Sequence, residues 1–159
     1  MSVIAQAGAK GRQLHKFGGS SLADVKCYLR VAGIMADYSQ PDDMMVVSAA
    51  GSTTNQLISW LKLSQTDRLS AHQVQQALRR YQSELISGLL PPEVADGLIG
   101  AFIHDLERLA GLLDSGVNDA VYAEVVGHGE VWSARLMSAV LNQQGLESAW
   151  LDAREFFTC

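Results

Sequence analysis

The sequence contains very little cysteine, and this scarcity excludes a disulfide scaffold. Its 159 residues include only Cys27 and Cys159, which provide neither a disulfide network nor a C-x-x-C metal or redox pair. Such cysteine use is typical of proteins in a reducing compartment. We therefore expect a cytoplasmic protein.

Long apolar runs and an excess of positive charge are also absent. No run approaches the roughly 20 apolar residues that cross a bilayer, and residues 1–11 lack the charged-then-apolar order of a signal peptide. The formal net charge is -5, whereas nucleic acids are bound mainly through lysine and arginine. We therefore expect no membrane partner and no nucleic-acid partner.

The sequence does contain enough apolar residues to form one core. Hydrophobic residues make up 48% of the chain, and its length matches one ordinary domain. We expect a short polar leader at residues 1–11, followed by a single unit at residues 12–159.

The first third of the chain predicts a parallel βαβ unit. Short apolar segments at residues 13–17 and 44–48 predict two strands, and helical periodicity predicts a helix from Leu22 to about Tyr38. The second apolar segment is typical of a strand that is buried on both faces. The order strand, helix, strand indicates an α/β fold.

The rest of the chain predicts three long helices. The first follows a Ser70 cap, the second opens at Pro91-Pro92, and the third runs from Asn118 to a stop at Gly145. The first two resemble an antiparallel helical insertion at about residues 64–115. Residues 148–151 predict another short strand, so we expect an unfinished sheet.

The motif KFGGSS, which begins at Lys16, lies between the first strand and the first helix. Consecutive glycines let backbone amides turn toward an anion, the helix N-terminus adds partial positive charge, and Lys16 adds a full charge. This combination predicts a phosphate site. The alternative is a tight turn at Gly18 and Gly19, with Lys16 in water and Ser20 or Ser21 capping the helix.

The segment after the second strand is small and rich in hydroxyl groups. It reads SAAGSTTN and runs from Ser48 to Asn55. Ligands of open α/β sheets bind at such strand ends, so this segment is a second candidate site. The alternative is that Ser52, Thr53 or Thr54 caps the next helix, although capping and ligand binding can coexist.

The last predicted helix contains a third candidate, the segment GHGE. Glu130 lies at the border of the apolar stripe, so we predict a partly buried carboxylate that suits the ammonium group of a ligand. Gly127 and Gly129 each cost a helix about 1 kcal/mol relative to alanine, which indicates close approach by another backbone or a ligand. The alternative places Glu130 in water, uses the glycines for packing, and leaves His128 exposed or satisfied in the core.

Several other motifs are absent from the sequence. It lacks the Walker loop and the G-x-G-x-x-G dinucleotide fingerprint. His128 and Glu130 fit the H-x-E of zinc deaminases, but the P-C-x-x-C that completes their metal site is missing. No G-x-S-x-G elbow is present for Ser-His-Asp hydrolysis. We therefore predict no metal site formed by protein ligands.

Four motifs occur in the order that is seen in aspartate kinases. They are KFGGSS from Lys16, VSA from Val47 with Thr54-Asn55, G-E-x-x-S from Gly129, and DAR from Asp152. Four motifs in order are far more specific than one alone. The whole chain resembles the N-terminal part of an aspartate kinase, within the amino-acid kinase family. Position 20 is serine where many relatives have threonine, which keeps the hydroxyl group.

The resemblance implies a fold and a reaction. The fold would be the amino-acid-kinase type of α/β fold, a three-layer αβα arrangement with a mainly parallel sheet, incomplete here and with a helical insertion. The enzyme would transfer the γ-phosphoryl group of ATP, bound with Mg²⁺, to the side-chain carboxylate of L-aspartate in methionine, lysine and threonine biosynthesis. The resemblance extends to bifunctional members that also carry a homoserine dehydrogenase.

The resemblance also implies which residues form the site. Glu130 would hold the amino group of aspartate in a pocket that is lined by Ser48 and Thr54. Lys16 would stabilise charge on the transferred phosphoryl group. The other phosphate contacts would come from Gly18, Gly19 and Ser20.

Family members continue into a second half that supplies most of the nucleotide pocket. Phosphoryl transfer depends on positioning and charge around both donor and acceptor. We therefore expect this chain alone to be inactive or nearly so. We also expect a homo-oligomer. One alternative is a non-catalytic fragment that self-associates through a sheet edge or the helical insertion. Another is a different amino-acid kinase that acts on glutamate, N-acetylglutamate, carbamate or a nucleotide.

Overall fold

In the computed structural model, which describes residues 11–156, two short strands precede most of the helical structure. The predicted polar leader therefore lies almost wholly outside the described residues. Single turns of 3₁₀ helix occur at Gly19–Leu22 and Ala153–Glu155. The main elements are β1 (Leu14–Phe17), α1 (Val25–Tyr38), β2 (Met44–Val47), α2 (Thr53–Ser64), α3 (Arg68–Leu89), α4 (Pro92–Asp114) and α5 (Asp119–Gln143).

The first three main elements form the predicted βαβ unit. β1 and β2 pair in parallel, with Phe17 opposite Val47, and α1 connects them. α1 ends at Tyr38, as the break at Pro41 predicted. The unit places the carboxyl ends of both strands at one edge of the sheet, where each strand leads into a candidate ligand loop.

Among residues 11–156, helices cover only one face of this sheet. Phe17, Met45 and Val47 pack against the core, whereas Leu14 and Met44 on the opposite face are 66% and 58% exposed. The prediction that β2 is buried on both faces is wrong, because within residues 11–156 the side chains of both strands alternate between a covered face and an open one.

The predicted helical pair exists as α3 and α4. Only Leu90 and Pro91 separate the two helices, and Pro92 occupies the first helical turn, as predicted. The predicted Ser70 cap is wrong: Asp67 caps α3 by accepting bonds from the amides of Leu69 and Ser70. The pair packs on α2 and α5 and contributes to the main core. Its status as an insertion stays a prediction.

α5 is the most buried helix of the described chain. It begins after Asn118, whose side chain accepts a bond from the Val121 amide, and Gly145 follows its end with φ +80°. Both ends agree with the prediction. α5 packs against α1, α2, α4 and β2, so it carries Glu130 past the strand ends.

The strand that was predicted for residues 148–151 does not form. This prediction is wrong, and side chains of α5 instead bond the backbone of the first residue of the segment, Ser148. Asn142 bonds both the amide and the carbonyl oxygen of Ser148 at 2.9 Å, and the Ser138 hydroxyl lies 3.2 Å from the same carbonyl oxygen. The segment therefore follows the surface of α5 instead of pairing with the sheet.

The helices of residues 11–156 are amphipathic or interrupted by charge. None of them has the length and the apolar content that crossing a bilayer requires. A cytoplasmic location stays a prediction.

Candidate functional site

Lys16 lies near the carboxyl end of β1 and is exposed. Because side chains alternate along a strand, Lys16 projects from the open face of the sheet while Phe17 faces the core. The chain then turns through Gly18 and Gly19 into a single 3₁₀ turn. The cation and the glycine loop are adjacent, as the motif predicted.

The two glycines of this loop have different surroundings. A Cβ atom at Gly19 would lie 2.7 Å from the carbonyl oxygen of Ala49, whereas no atom of residues 11–156 lies within 4 Å of a Cβ built at Gly18. The Gly51 amide donates to the Gly19 carbonyl oxygen at 3.0 Å. Gly19 is therefore required by packing against the loop after β2, while Gly18 faces open space that a ligand can enter.

Ser20 is exposed in the 3₁₀ turn and does not cap α1. Asp24 does so, through a bond from the Cys27 amide to its carboxylate at 2.8 Å. The proposed capping by Ser20 or Ser21 is wrong, because the 3₁₀ turn delays the start of α1. Both hydroxyls remain beside the glycine loop.

The loop after β2 is fixed to the end of β1 by backbone bonds. The Ser48 amide donates to the Phe17 carbonyl oxygen at 3.0 Å, which extends the sheet pairing by one residue. Ser48 itself is half-buried. Gly51, with φ +51°, closes the loop in a conformation that disfavours residues with a Cβ atom.

The hydroxyl groups that begin α2 serve different purposes. Ser52 occupies the N-cap position but its side chain makes no capping bond. Thr53 is fully buried and accepts a bond from the Gln82 amide group at 3.0 Å. Thr54 is half-buried next to it. The alternative that one of these side chains caps α2 is therefore wrong. Thr54 stays a candidate for ligand contact.

Glu130 is exposed on α5, so the predicted partial burial is wrong. Its Oε1 atom accepts a bond from the Ala49 amide at 3.4 Å. The residue through which α5 packs here is Gly129, next to Glu130. A Cβ at Gly129 would lie 2.6 Å from the Ala49 Cβ, while no atom of residues 11–156 lies within 4 Å of a Cβ at Gly127. The atoms close to Gly129 belong to side chains, which agrees with the packing alternative, and no described protein atom approaches Gly127.

These contacts bring three candidate segments to one edge of the sheet. The glycine loop after β1 bonds the loop after β2 through Gly19 and Gly51, and α5 contacts that second loop through Gly129 and Glu130. Ala49 joins both contacts. Ala49 belongs to the VSA motif, but the motif did not predict this role, because it rests on a backbone amide and a small side chain.

Two other residues of the motifs have structural roles. Ser133, from the G-E-x-x-S motif, is buried and accepts a bond from the Tyr28 hydroxyl at 3.1 Å. Burial raises the pKa of Tyr28, so this phenol stays a neutral donor. His128 is buried with both ring nitrogens in polar contacts, which agrees with the core-satisfied alternative. Neither residue belongs to the candidate ligand site.

Comparisons with known proteins agree with this arrangement. Residues 11–158 match the model of the amino acid kinase family. The chain is 90% identical over 156 residues to bifunctional aspartokinase/homoserine dehydrogenase 2 of Escherichia coli (strain K12). The matched region covers 98% of this chain and 19% of that relative. The chain thus spans about a fifth of this relative.

Solved structures of E. coli aspartokinase III have the same fold. The structure with lysine and aspartate superposes with a TM-score of 0.79 at 24% identity, and covers 90% of this chain and 32% of the other. The structure with aspartate and ADP has a TM-score of 0.77 at 26% identity, with 90% and 31% covered. These matches confirm the predicted resemblance to aspartate kinases and the predicted fold class, of which residues 11–156 hold a small parallel sheet and its helices. This chain belongs to the amino acid kinase family.

Proposed function

We propose that this chain forms the aspartate-binding part of an aspartate kinase, which converts ATP and L-aspartate to ADP and 4-phospho-L-aspartate. The observation that carries the proposal is the bond between Glu130 and the Ala49 amide. It places a carboxylate beside the loop after β2, which is itself bonded to the glycine loop after β1. An amino-acid acceptor and a phosphate group can therefore meet at this edge.

Glu130 suits the ammonium group of aspartate. Its carboxylate is exposed and, within residues 11–156, accepts one long backbone bond, so most of its lone pairs face solvent or a ligand. Ser48 and Thr54 are half-buried and offer hydroxyl groups on the loop and helix start next to it. If Glu130 holds the ammonium group of aspartate, the side-chain carboxylate of aspartate can point toward the glycine loop.

Lys16, Gly18, Gly19 and Ser20 suit the phosphate groups. Lys16 supplies an exposed positive charge, and Gly18 leaves its backbone open to a ligand. Phosphoryl transfer needs charge stabilisation and alignment more than covalent chemistry by the protein. Mg²⁺ enters this scheme as part of the ATP substrate.

The chain alone should transfer phosphoryl groups poorly. It matches about a third of aspartokinase III, the neighbour that was solved with aspartate and ADP. Acceptor and donor must both be aligned for the large rate gains of proximity, and the candidate residues offer contacts for aspartate and for phosphate groups but none for the base and ribose of ATP. We therefore expect aspartate binding with little turnover.

Isothermal titration of the chain with L-aspartate tests the proposal. We expect heat of binding that is strongly reduced in Glu130→Gln, which keeps the shape and removes the charge. Glu107→Gln, an exposed position on α4, serves as the control and should bind like the parent chain. No binding by folded protein, or equal binding by both variants, would contradict the proposal.

The choice of amino acid separates the alternatives. If Glu130 holds an ammonium group, N-acetylated substrates should bind much more weakly than free amino acids. Glutamate in place of aspartate tests the length of the pocket. Preference for N-acetylglutamate or carbamate would instead favour a different amino-acid kinase.

Self-association is a second candidate function, and we propose that it involves the open face of the sheet. Leu14, Met44 and Val46 form an apolar strip there, beside Lys16 on the same face, and within residues 11–156 each strand has one unpaired edge. A second copy of the chain is the partner proposed, in line with the expected homo-oligomer. Sedimentation velocity over a hundredfold concentration range tests this, and a constant monomer mass would contradict it.

A further inference from the structure

A cluster of charged groups surrounds His128 where α4, α5 and the segment after α5 meet. We call this cluster the latch; it comprises Arg108, Glu124, His128, Asp152 and Arg154. The Glu124 carboxylate accepts bonds from Arg108 at 2.7 Å and from Arg154 at 2.9 Å. Arg154 also bonds Asp152 at 2.6 Å. The DAR motif thus ties the segment after α5 to the helix that carries Glu130.

The bonds of His128 specify one protonation state. Its Nδ1 atom lies 2.8 Å from the Glu124 carbonyl oxygen, which only accepts, so Nδ1 carries the proton. Its Nε2 atom lies 2.9 Å from the Arg108 guanidinium, which only donates, so Nε2 must accept. The neutral Nδ1–H tautomer satisfies both of these contacts, and it leaves the Arg154 guanidinium, 3.4 Å from the same Nδ1 atom, facing a donor.

Protonation would turn the contact with Arg108 into donor against donor. The ring is 2% exposed, so water cannot solvate the new charge. The charged groups that face it are Arg108 and Asp105 from α4, Glu124 from α5, and Asp152 and Arg154 from the following segment. Burial lowers the pKa of His128 below its ordinary 6.5, and the charge of Arg154 adds to this effect, while Glu124 and Asp105 oppose it.

The weakest connection of the latch is Arg154. An imidazolium would join two guanidinium groups in competition for the single Glu124 carboxylate. Arg108 is carried by α4, which is packed into the core, whereas Arg154 belongs to a single 3₁₀ turn and has its own partner in Asp152. Arg154 and Asp152 can therefore leave together.

We propose that neutral His128 keeps the latch closed and that its protonation releases residues 152–156 from α5. The segment would stay attached at Ser148, because the bonds of Ser148 to Asn142 and Ser138 involve no titrating group. The device is a local, acid-sensitive opening and does not depend on the kinase reaction. A histidine whose neutral form is selected by its contacts is suited to this use.

NMR of the 159-residue chain between pH 7.5 and 5 tests the proposal. We expect His128 to titrate with a midpoint below 6.5, and the heteronuclear NOE of residues 152–156 to fall with the same midpoint while that of Ser148 stays high. Asp152 does not interfere, because Arg154 holds the pKa of its carboxyl below the usual 3.8. A segment that stays ordered through the His128 midpoint would overturn the proposal.

Variants separate the latch from general effects of pH. His128→Gln cannot be protonated, so residues 152–156 should lose their pH dependence, whereas His104→Gln, at an exposed position on α4, should retain it. Loss of order with the same midpoint in His128→Gln would overturn the proposal. Should that variant fail to fold, Arg108→Met decides: it should raise the His128 midpoint by removing the facing cation, and an unchanged midpoint counts against the latch.

Discussion

Gly127 and Gly129 lie two residues apart on α5 but face different surroundings. A methyl group at Gly129 would overlap the side chain of Ala49 at 2.6 Å and approach Thr53 at 3.3 Å, while a methyl at Gly127 meets nothing within 4 Å. Only Gly129 is therefore needed for packing. It lets α5 approach the loop after β2 closely enough for Glu130 to reach Ala49.

We expect Gly129→Ala to lower the free energy of unfolding by about 1–3 kcal/mol, because overpacking displaces neighbouring atoms. Gly127→Ala is the matched control and should raise the same quantity by about 0.5–1 kcal/mol, since alanine favours a helix. Urea unfolding followed by circular dichroism measures both. Equal effects of the two substitutions would show that α5 does not press on this loop.

The buried pair of Tyr28 and Ser133 joins α1 to α5. Tyr28→Phe should lower the free energy of unfolding by about 1–2 kcal/mol, because it leaves the Ser133 hydroxyl without its donor in the core. The double variant with Ser133→Ala should cost less than the sum of the two single changes. Strict additivity in urea unfolding would mean that the bond contributes nothing.

At the scale of the elements, the helices begin with different kinds of cap. Asp67 accepts two amide bonds at the start of α3, and Asn118 accepts one at the start of α5. Ser52 accepts none at the start of α2. α2 is held instead by buried residues such as Thr53, Leu57 and Trp60. Its stability depends on packing more than on its first turn.

Asp67→Ala should therefore lower the free energy of unfolding by about 1 kcal/mol. Ser52→Ala should change it by no more than about 0.5 kcal/mol, since it removes only a surface contact with Gln56. Thermal and urea unfolding provide the measurement. A larger loss for Ser52→Ala than for Asp67→Ala would contradict this ranking of the caps.

The strand and helix signals of the sequence were mostly reliable at this scale. Periodicity located α1, β2, α4 and α5 because each has an apolar stripe or run with a clear break at its end. The predicted strand at residues 148–151 was wrong, since Asn142 and Ser138 bond Ser148 to α5 at the start of the segment. These bonds form only once α5 has brought the residues into contact. The local sequence pattern therefore does not predict them.

At the scale of the whole molecule, the core of the described residues 11–156 lies on one face of the sheet. Val46 and Val47 are adjacent in β2, yet Val46 is 45% exposed and Val47 packs against the core. Val47→Thr should lower the free energy of unfolding by about 1–2 kcal/mol, because it places a hydroxyl in apolar surroundings. Val46→Thr should stay within about 0.5 kcal/mol of the parent chain. The free energies of unfolding should be measured at low protein concentration. Similar losses for both variants would indicate that another part of the same chain covers the open face.

The sequence by itself determined the order of the elements, the family, and the motifs that hold Lys16, the glycine loop and Glu130. These properties are local, since they depend on residue types at fixed spacing. Only the tertiary structure decided that Glu130 is exposed and reaches Ala49, that Gly129 packs while Gly127 does not, that one sheet face is open among residues 11–156, and that His128 joins the latch. Those outcomes depend on contacts between residues that are far apart in the chain, and such contacts are fixed only when the helices pack on the sheet.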